Sequence, residues 1–188
     1  MKNITLTGYK SFELGIFNED DERITFIKKA IEKKLLQLID EGLEWVLISG
    51  QYGVELWSGE VVLALKEANY NLKLGVIPPF ENQEVRWPEP VQLKYHNIIA
   101  AADFSKSLFK GEYKGPFQFS QKNKWLIEKT DGCLMLLDEE NHGSVGYFYD
   151  IAKEATETID YEMHLITPFD LDDAVQELQL EDPDYWSQ

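Results

Sequence analysis

Three short stretches hold the residue types from which an anion or nucleotide site is built. The first, Ser49-Gly50-Gln51-Tyr52-Gly53-Val54-Glu55, follows the apolar run Trp45, Val46, Leu47, Ile48 and leads into a helical pattern. Glycine reaches positive φ without a Cβ penalty, so Gly50 and Gly53 permit a tight turn and close approach of a ligand to the backbone. The N–H groups that open the helix lack partners within it and carry partial positive charge, which suits a phosphate. Glu55 has two readings there: a complement to the helix dipole, or an acceptor for ribose hydroxyls. The second stretch, Phe-Gln-Phe-Ser-Gln-Lys-Asn-Lys from Phe117 to Lys124, concentrates hydrogen-bond donors in a chain of formal net charge −16. Lys122 and Asn123 are its candidate ligand contacts. The third runs from Asp138 through His142 to Gly143 and Ser144, where a further helix N-terminus offers another anion position.

Other side chains bear on the same chemistry. Trp57 and Trp87 are candidates to stack on a base, although the helical spacing of Trp57 fits a core position better. His142 reads as an acid or base beside Gly143, or simply as a solvated loop residue. His96, His142 and His164 lack metal-ligand spacing, and a lone cysteine, Cys133, sits in an apolar run, so no metal site and no disulfide are expected.

The elements that must position these residues follow from pattern. Strand-like runs occupy Ile4 to Thr7 (followed by Gly8), Trp45 to Ile48, Leu72 to Ile77, Asp103 to Phe109, Gly132 to Leu137 and Met163 to Ile166. Helical spacing holds from Asn18, a candidate N-cap, through Ile24, Ile27, Ile31, Leu35 and Leu38 to Gly42. Further helices are expected from Glu55 to Ala68, Val91 to Ala102, Phe117 to Lys129, Val145 to Glu157 and Leu171 to Leu178. Strands alternating with helices predict an α/β fold: a Rossmann-like open, mainly parallel sheet of about five to seven strands with helices on both faces. Right-handed crossovers would bring the loops after the first, second and fifth strands to one rim, near the point where strand order reverses. Pro78 and the loop through Trp87 follow the third strand on that rim.

The chain of 188 residues fits one domain over 1–180, with an acidic tail over 181–188. No apolar run reaches the roughly 18 to 20 residues of a membrane span, and Met1 and Lys2 lead straight into a strand, so a cytoplasmic protein is expected. The acidic balance repels polyanions and excludes a nucleic-acid surface, yet a local nest of N–H groups with one or two lysines can still hold a phosphate.

Taken together, these segments resemble the SLOG superfamily of Rossmann-like proteins, which includes DprA and the LOG phosphoribohydrolases, and within it the YpsA family. The resemblance spans Gly8, the Ser49 to Glu55 turn, Gly75-Val76-Ile77-Pro78 and the segment from Phe117 to Ser144. The turn is similar to the Ser-Gly-x-x-x-Gly-x-Asp of DprA-like proteins, one residue shorter. Phe119, Lys122, Asn123 and Lys124 resemble the pattern Phe-Pro-x-Arg-Asn-Arg, with lysine at both arginine positions. Gly143-Ser144 is similar to the Gly-Thr of the LOG signature, whose Pro-Gly-Gly is absent here. The resemblance implies a ligand derived from a nucleotide, such as NAD or ADP-ribose, and a regulatory role in bacterial cell division with a protein partner. The expected site residues are therefore Gly8, Ser49, Gly50, Gly53, Glu55, Trp57, Pro78, Trp87, Lys122, Asn123, Asp138, Gly143 and Ser144. Two other classes stay open: a nucleotide hydrolase of the phosphoribohydrolase kind using Glu55 or Asp138 as acid or base, and an interaction protein whose pocket has lost its ligand.

Overall fold

The computed structural model describes residues 1–182 and 184. Six strands form one parallel sheet: β1 (Asn3–Thr7), β2 (Trp45–Ile48), β3 (Lys73–Val76), β4 (Phe104–Ser105), β5 (Gly132–Leu136) and β6 (Glu162–Ile166). Their order is β4-β3-β2-β1-β5-β6, so the direction of winding reverses between β1 and β5. Both are central and their apolar residues are buried, as a strand covered on two faces requires. The register sets Thr5 beside Cys133 and Thr7 beside Met135.

Helices α1 (Glu22–Asp40), α2 (Val54–Glu67), α3 (Glu89–Ala101), α4 (Phe117–Lys129), α5 (Gly146–Thr158) and α6 (Pro168–Glu181) connect or follow the strands. α1 packs on α2 and α6, α2 packs on α3, and α4 packs on α5. With right-handed crossovers this gives one layer of α1, α2, α3 and α6, and a second of α4 and α5 across the sheet. α1 buries Ile24, Ile27, Ile31, Leu35 and Leu38 along one face, the spacing its sequence announces.

Several boundaries differ from the pattern reading, each for a local reason. Asn18 caps a turn, accepting from the Asp20 N–H; Asp21 is the N-cap of α1, accepting from the Arg23 N–H. β4 shrinks to Phe104–Ser105 because Pro78 and Pro79 carry no N–H for a continuing ladder. Leu108 and Phe109 still donate to the carbonyls of those prolines, without strand geometry. A turn of 3₁₀ helix at Ser11–Leu14, ended by left-handed Gly15, has no counterpart in the sequence reading. A second at Gly143–Val145 leads into α5. Helix α6 takes in Glu181, the first residue of the expected tail, while 183 and 185–188 lie outside the described residues. No helix among the described residues is long and apolar enough to cross a membrane.

The rim is closed by backbone contact. Val54 N–H donates to the Tyr9 carbonyl and Ser11 N–H to the Tyr52 carbonyl, a bridge centred on Lys10 and Gly53. Gly53 has φ 137°, and a Cβ there would stand 2.5 Å from Ser11 N and 2.6 Å from Tyr9 O. Gly53→Ala is therefore expected to cost about 1 to 3 kcal/mol through strain and the opened bridge. Urea unfolding checks this, and a midpoint equal to that of the unsubstituted chain would contradict the bridge.

Candidate functional site

A cleft of about 510 Å³ opens at the carboxyl ends of β1 and β2 and runs between α4 and the start of α5. That is the switch point of the sheet, where open α/β folds bind ligands. Four segments line it: Thr7 at the end of β1 with Gly8 and Lys10 after it; Gln51 after β2; Pro116 and residues to Lys124 at the start of α4; and Ser144 and Val145 of the 3₁₀ turn with Tyr147, Phe148 and Ile151 of α5. Lys10, Lys122 and Lys124 are among the lining residues, which include no carboxylate and no imidazole. A chain of net charge −16 thus carries a wholly cationic cleft. Phe119, Phe148 and Ile151 supply an apolar wall, and Tyr147, 78% exposed, stands at its edge.

Lys122 is the unusual member. It is only 6% exposed, yet among the described residues its ammonium has no hydrogen bond and no ion pair. Burial pushes its pKa below the ordinary lysine value; the charge of Glu55 opposes that shift and the charge of Lys10 adds to it.

Glu55 lies beneath the cleft, 3% exposed. One carboxylate oxygen accepts from the Thr7 hydroxyl at 2.8 Å; the other accepts from the Ser49 hydroxyl at 2.6 Å and the Gln51 N–H at 3.0 Å. It ties the ends of β1 and β2 to the glycine turn. Thr7 and Gln51, which line the cleft, are both held by it.

Glu13, on the 3₁₀ turn absent from the sequence reading, plays the matching part at α5. Its carboxylate accepts from the Ser144 N–H and hydroxyl, each at 2.7 Å, and from the Lys10 N–H at 2.8 Å. Burial alone would raise the Glu13 pKa, but these hydrogen bonds and the Lys10 charge hold it below the ordinary carboxylate value. Tyr9 joins the two rim loops: its hydroxyl accepts from the Asp138 N–H and donates to the Asn141 carbonyl.

Of the expected site residues, Gly8, Lys122, Asn123 and Ser144 line the cleft together. Ser49 and Glu55 lie behind it, and Gly143 abuts Glu13, whose Oε1 would stand 2.7 Å from a Cβ there. Asp138 lines a neighbouring cavity with Tyr9, Glu13 and Asn141. Gly50, at φ 78°, faces Tyr95 and Gln83 on the other side of the turn. Trp87 packs between Tyr52 and Tyr95, Pro78 is buried beyond β3, and Trp57 is wholly buried in the core. The ring of His142 packs on Tyr149. Thr7, Lys10, Glu13 and Gln51 escaped the sequence reading. The glycine at position 15, which ends the 3₁₀ turn in a left-handed conformation, is the one local sequence feature that marks the turn carrying Glu13.

The family model described as the YspA SLOG family, YpsA, matches residues 4–171. The chain is similar to UPF0398 protein OB1025 of Oceanobacillus iheyensis, 53% identical over 186 residues, covering 99% of this chain and 100% of that one. It is 50% identical over 182 residues to UPF0398 protein BH1768 of Halalkalibacterium halodurans, with 97% and 96% covered. UPF0398 protein YpsA of Bacillus subtilis is 47% identical over 177 residues, with 94% and 98% covered.

Proposed function

Because the chain belongs to the YpsA family of SLOG proteins, we propose that its cleft binds a nucleotide or nucleotide-derived ligand such as NAD or ADP-ribose. The protein then acts as a sensor or regulator rather than as a catalyst. A protein partner in bacterial cell division would read the occupied state. The observation that carries this reading is Lys122, a side chain only 6% exposed whose ammonium has no hydrogen bond and no ion pair among the described residues, in a cleft whose charged lining residues are all lysines. Holding that charge unpaired costs free energy that a ligand phosphate would relieve. Lys10 and Lys124 offer further charge for a diphosphate, and Tyr147 and Phe119 offer rings for a base. The lining holds no carboxylate and no imidazole, the commonest acid-base groups of a hydrolase, which favours binding over hydrolysis.

The test is a melting curve with ADP-ribose, paired with chromatography of the ligand afterwards. At a hundred times its dissociation constant a ligand adds about 2.7 kcal/mol, which raises the melting temperature of a chain this long by roughly 5 to 10 °C. That shift, with the ligand recovered intact, is the expected result. No shift with ADP-ribose, NAD or AMP would remove the binding reading, and breakdown of the ligand would replace it with the hydrolase.

A further inference from the structure

The anion position at the head of α5 is already filled from within the chain. Ser144 presents an N–H and a hydroxyl, and Lys10 a backbone N–H, around one point; the Glu13 carboxylate sits there and takes all three. Two N–H donors, a hydroxyl and the positive end of a helix are the surroundings a bound phosphate uses. Gly143 makes room, since a Cβ at its φ of 53° would press on Glu13 Oε1. Ser144 and Lys10 line the cleft together with the largely buried Lys122, while Glu13 meets them from the neighbouring cavity behind. Lys10 acts electrostatically on both Glu13 and Lys122.

We propose that Glu13 is a specificity-determining residue, an internal stand-in for a phosphate. Its carboxylate fills the Ser144 position, directs ligand phosphates to Lys122 and Lys124, and rejects a ligand with a further phosphate monoester at the head of α5. This deepens the nucleotide-binding reading and rests on it for the identity of the cleft, but its test does not depend on Lys122.

The experiment is calorimetric titration of inorganic phosphate, at constant ionic strength, into the unsubstituted protein, Glu13→Gln and Glu13→Ala, each also combined with Lys122→Met. Glu13→Ala is expected to gain affinity about tenfold or more, because three donors are left without an acceptor and a like charge is gone. Glu13→Gln keeps the shape and one acceptor oxygen, so its gain is smaller. Both gains persist in the Lys122→Met background. Absence of a gain in both folded variants, or a gain that disappears with Lys122→Met, overturns the proposal. If Glu13→Ala does not fold, the near-isosteric Glu13→Gln decides alone. A gain at Glu13 in a protein that ignores ADP-ribose would sink the nucleotide reading and leave the stand-in intact.

Discussion

Lys122→Met is expected to make the ligand-free protein melt higher while lowering its ADP-ribose affinity about ten- to a hundredfold. The affinity loss is that of one charge-assisted hydrogen bond, about 1.5 to 3 kcal/mol. The gain in stability has the opposite origin. Methionine has nearly the length and flexibility of the lysine stem, so it fills the same space without a charge to desolvate. Removing an unpaired buried ammonium is worth about 1 to 3 kcal/mol, or roughly 2 to 10 °C.

The pH dependence gives a separate check. Lys122 titrates in the folded chain below the ordinary 10.5, so between the two values the unfolded chain binds more protons. Stability of the unsubstituted protein therefore rises with pH across that window. The advantage of Lys122→Met is complete below the window and shrinks to nothing as pH approaches 10.5. Melting curves of both proteins from neutral to alkaline pH measure the difference directly. A variant that melts lower than its parent at neutral pH would show that Lys122 is a structural residue.

Glu55→Leu is expected to cost more stability than any other single change at the site, about 3 to 5 kcal/mol, or roughly 10 °C or more. Three donors converge on that carboxylate, and leucine would leave the Thr7 and Ser49 hydroxyls and the Gln51 N–H facing an alkyl group. Glu55→Gln should be far milder, at about 1 to 2 kcal/mol. Its carbonyl can accept from Ser49 and Gln51, while its amide donates to the Thr7 hydroxyl, which can also accept. Chemical unfolding of the two variants side by side tests the tie; a Glu55→Leu midpoint equal to that of Glu55→Gln would refute it.

The parallel sheet and its order of alternation were legible because every strand but the exposed two-residue β4 is a short, largely apolar run that ends within a residue or two of glycine, proline or aspartate, and the helices keep their spacing. The Leu35 and Leu38 face of α1 and the run from Gly132 to Leu136 are cases where local pattern and tertiary burial agree. The cleft was legible in part. Lys122 and Asn123 stood out as cations and donors in an acidic chain, and Ser144 as the opening of a helix. Glu13 did not, because a 3₁₀ turn of four residues has no period to read and its carboxylate looks like any other among 34 acidic residues. Trp57 and Trp87 show the converse: an aromatic near a glycine turn is equally at home in the core, and only packing separates the two. Pattern also does not tell which side of a rim loop faces the cleft. Asp138 and Ser144 lie six positions apart, yet they line different cavities.

The pairing of β1 with β5 bears on the order in which the molecule assembles. The β1, β2 and β3 side of the sheet can form as the chain emerges, because its crossovers are short. The partner on the other side comes much later: the Lys2 N–H bonds the Asp131 carboxylate across 129 residues. Closing so long a loop delays that contact and raises the contact order of the fold. Most of the cleft wall, on the α4 and α5 segments, is missing until then. During synthesis a nascent chain therefore exposes Thr7, Gly8 and Lys10 long before the cleft is complete, and a ligand that binds the closed cleft would favour the last docking step over the return to an open intermediate.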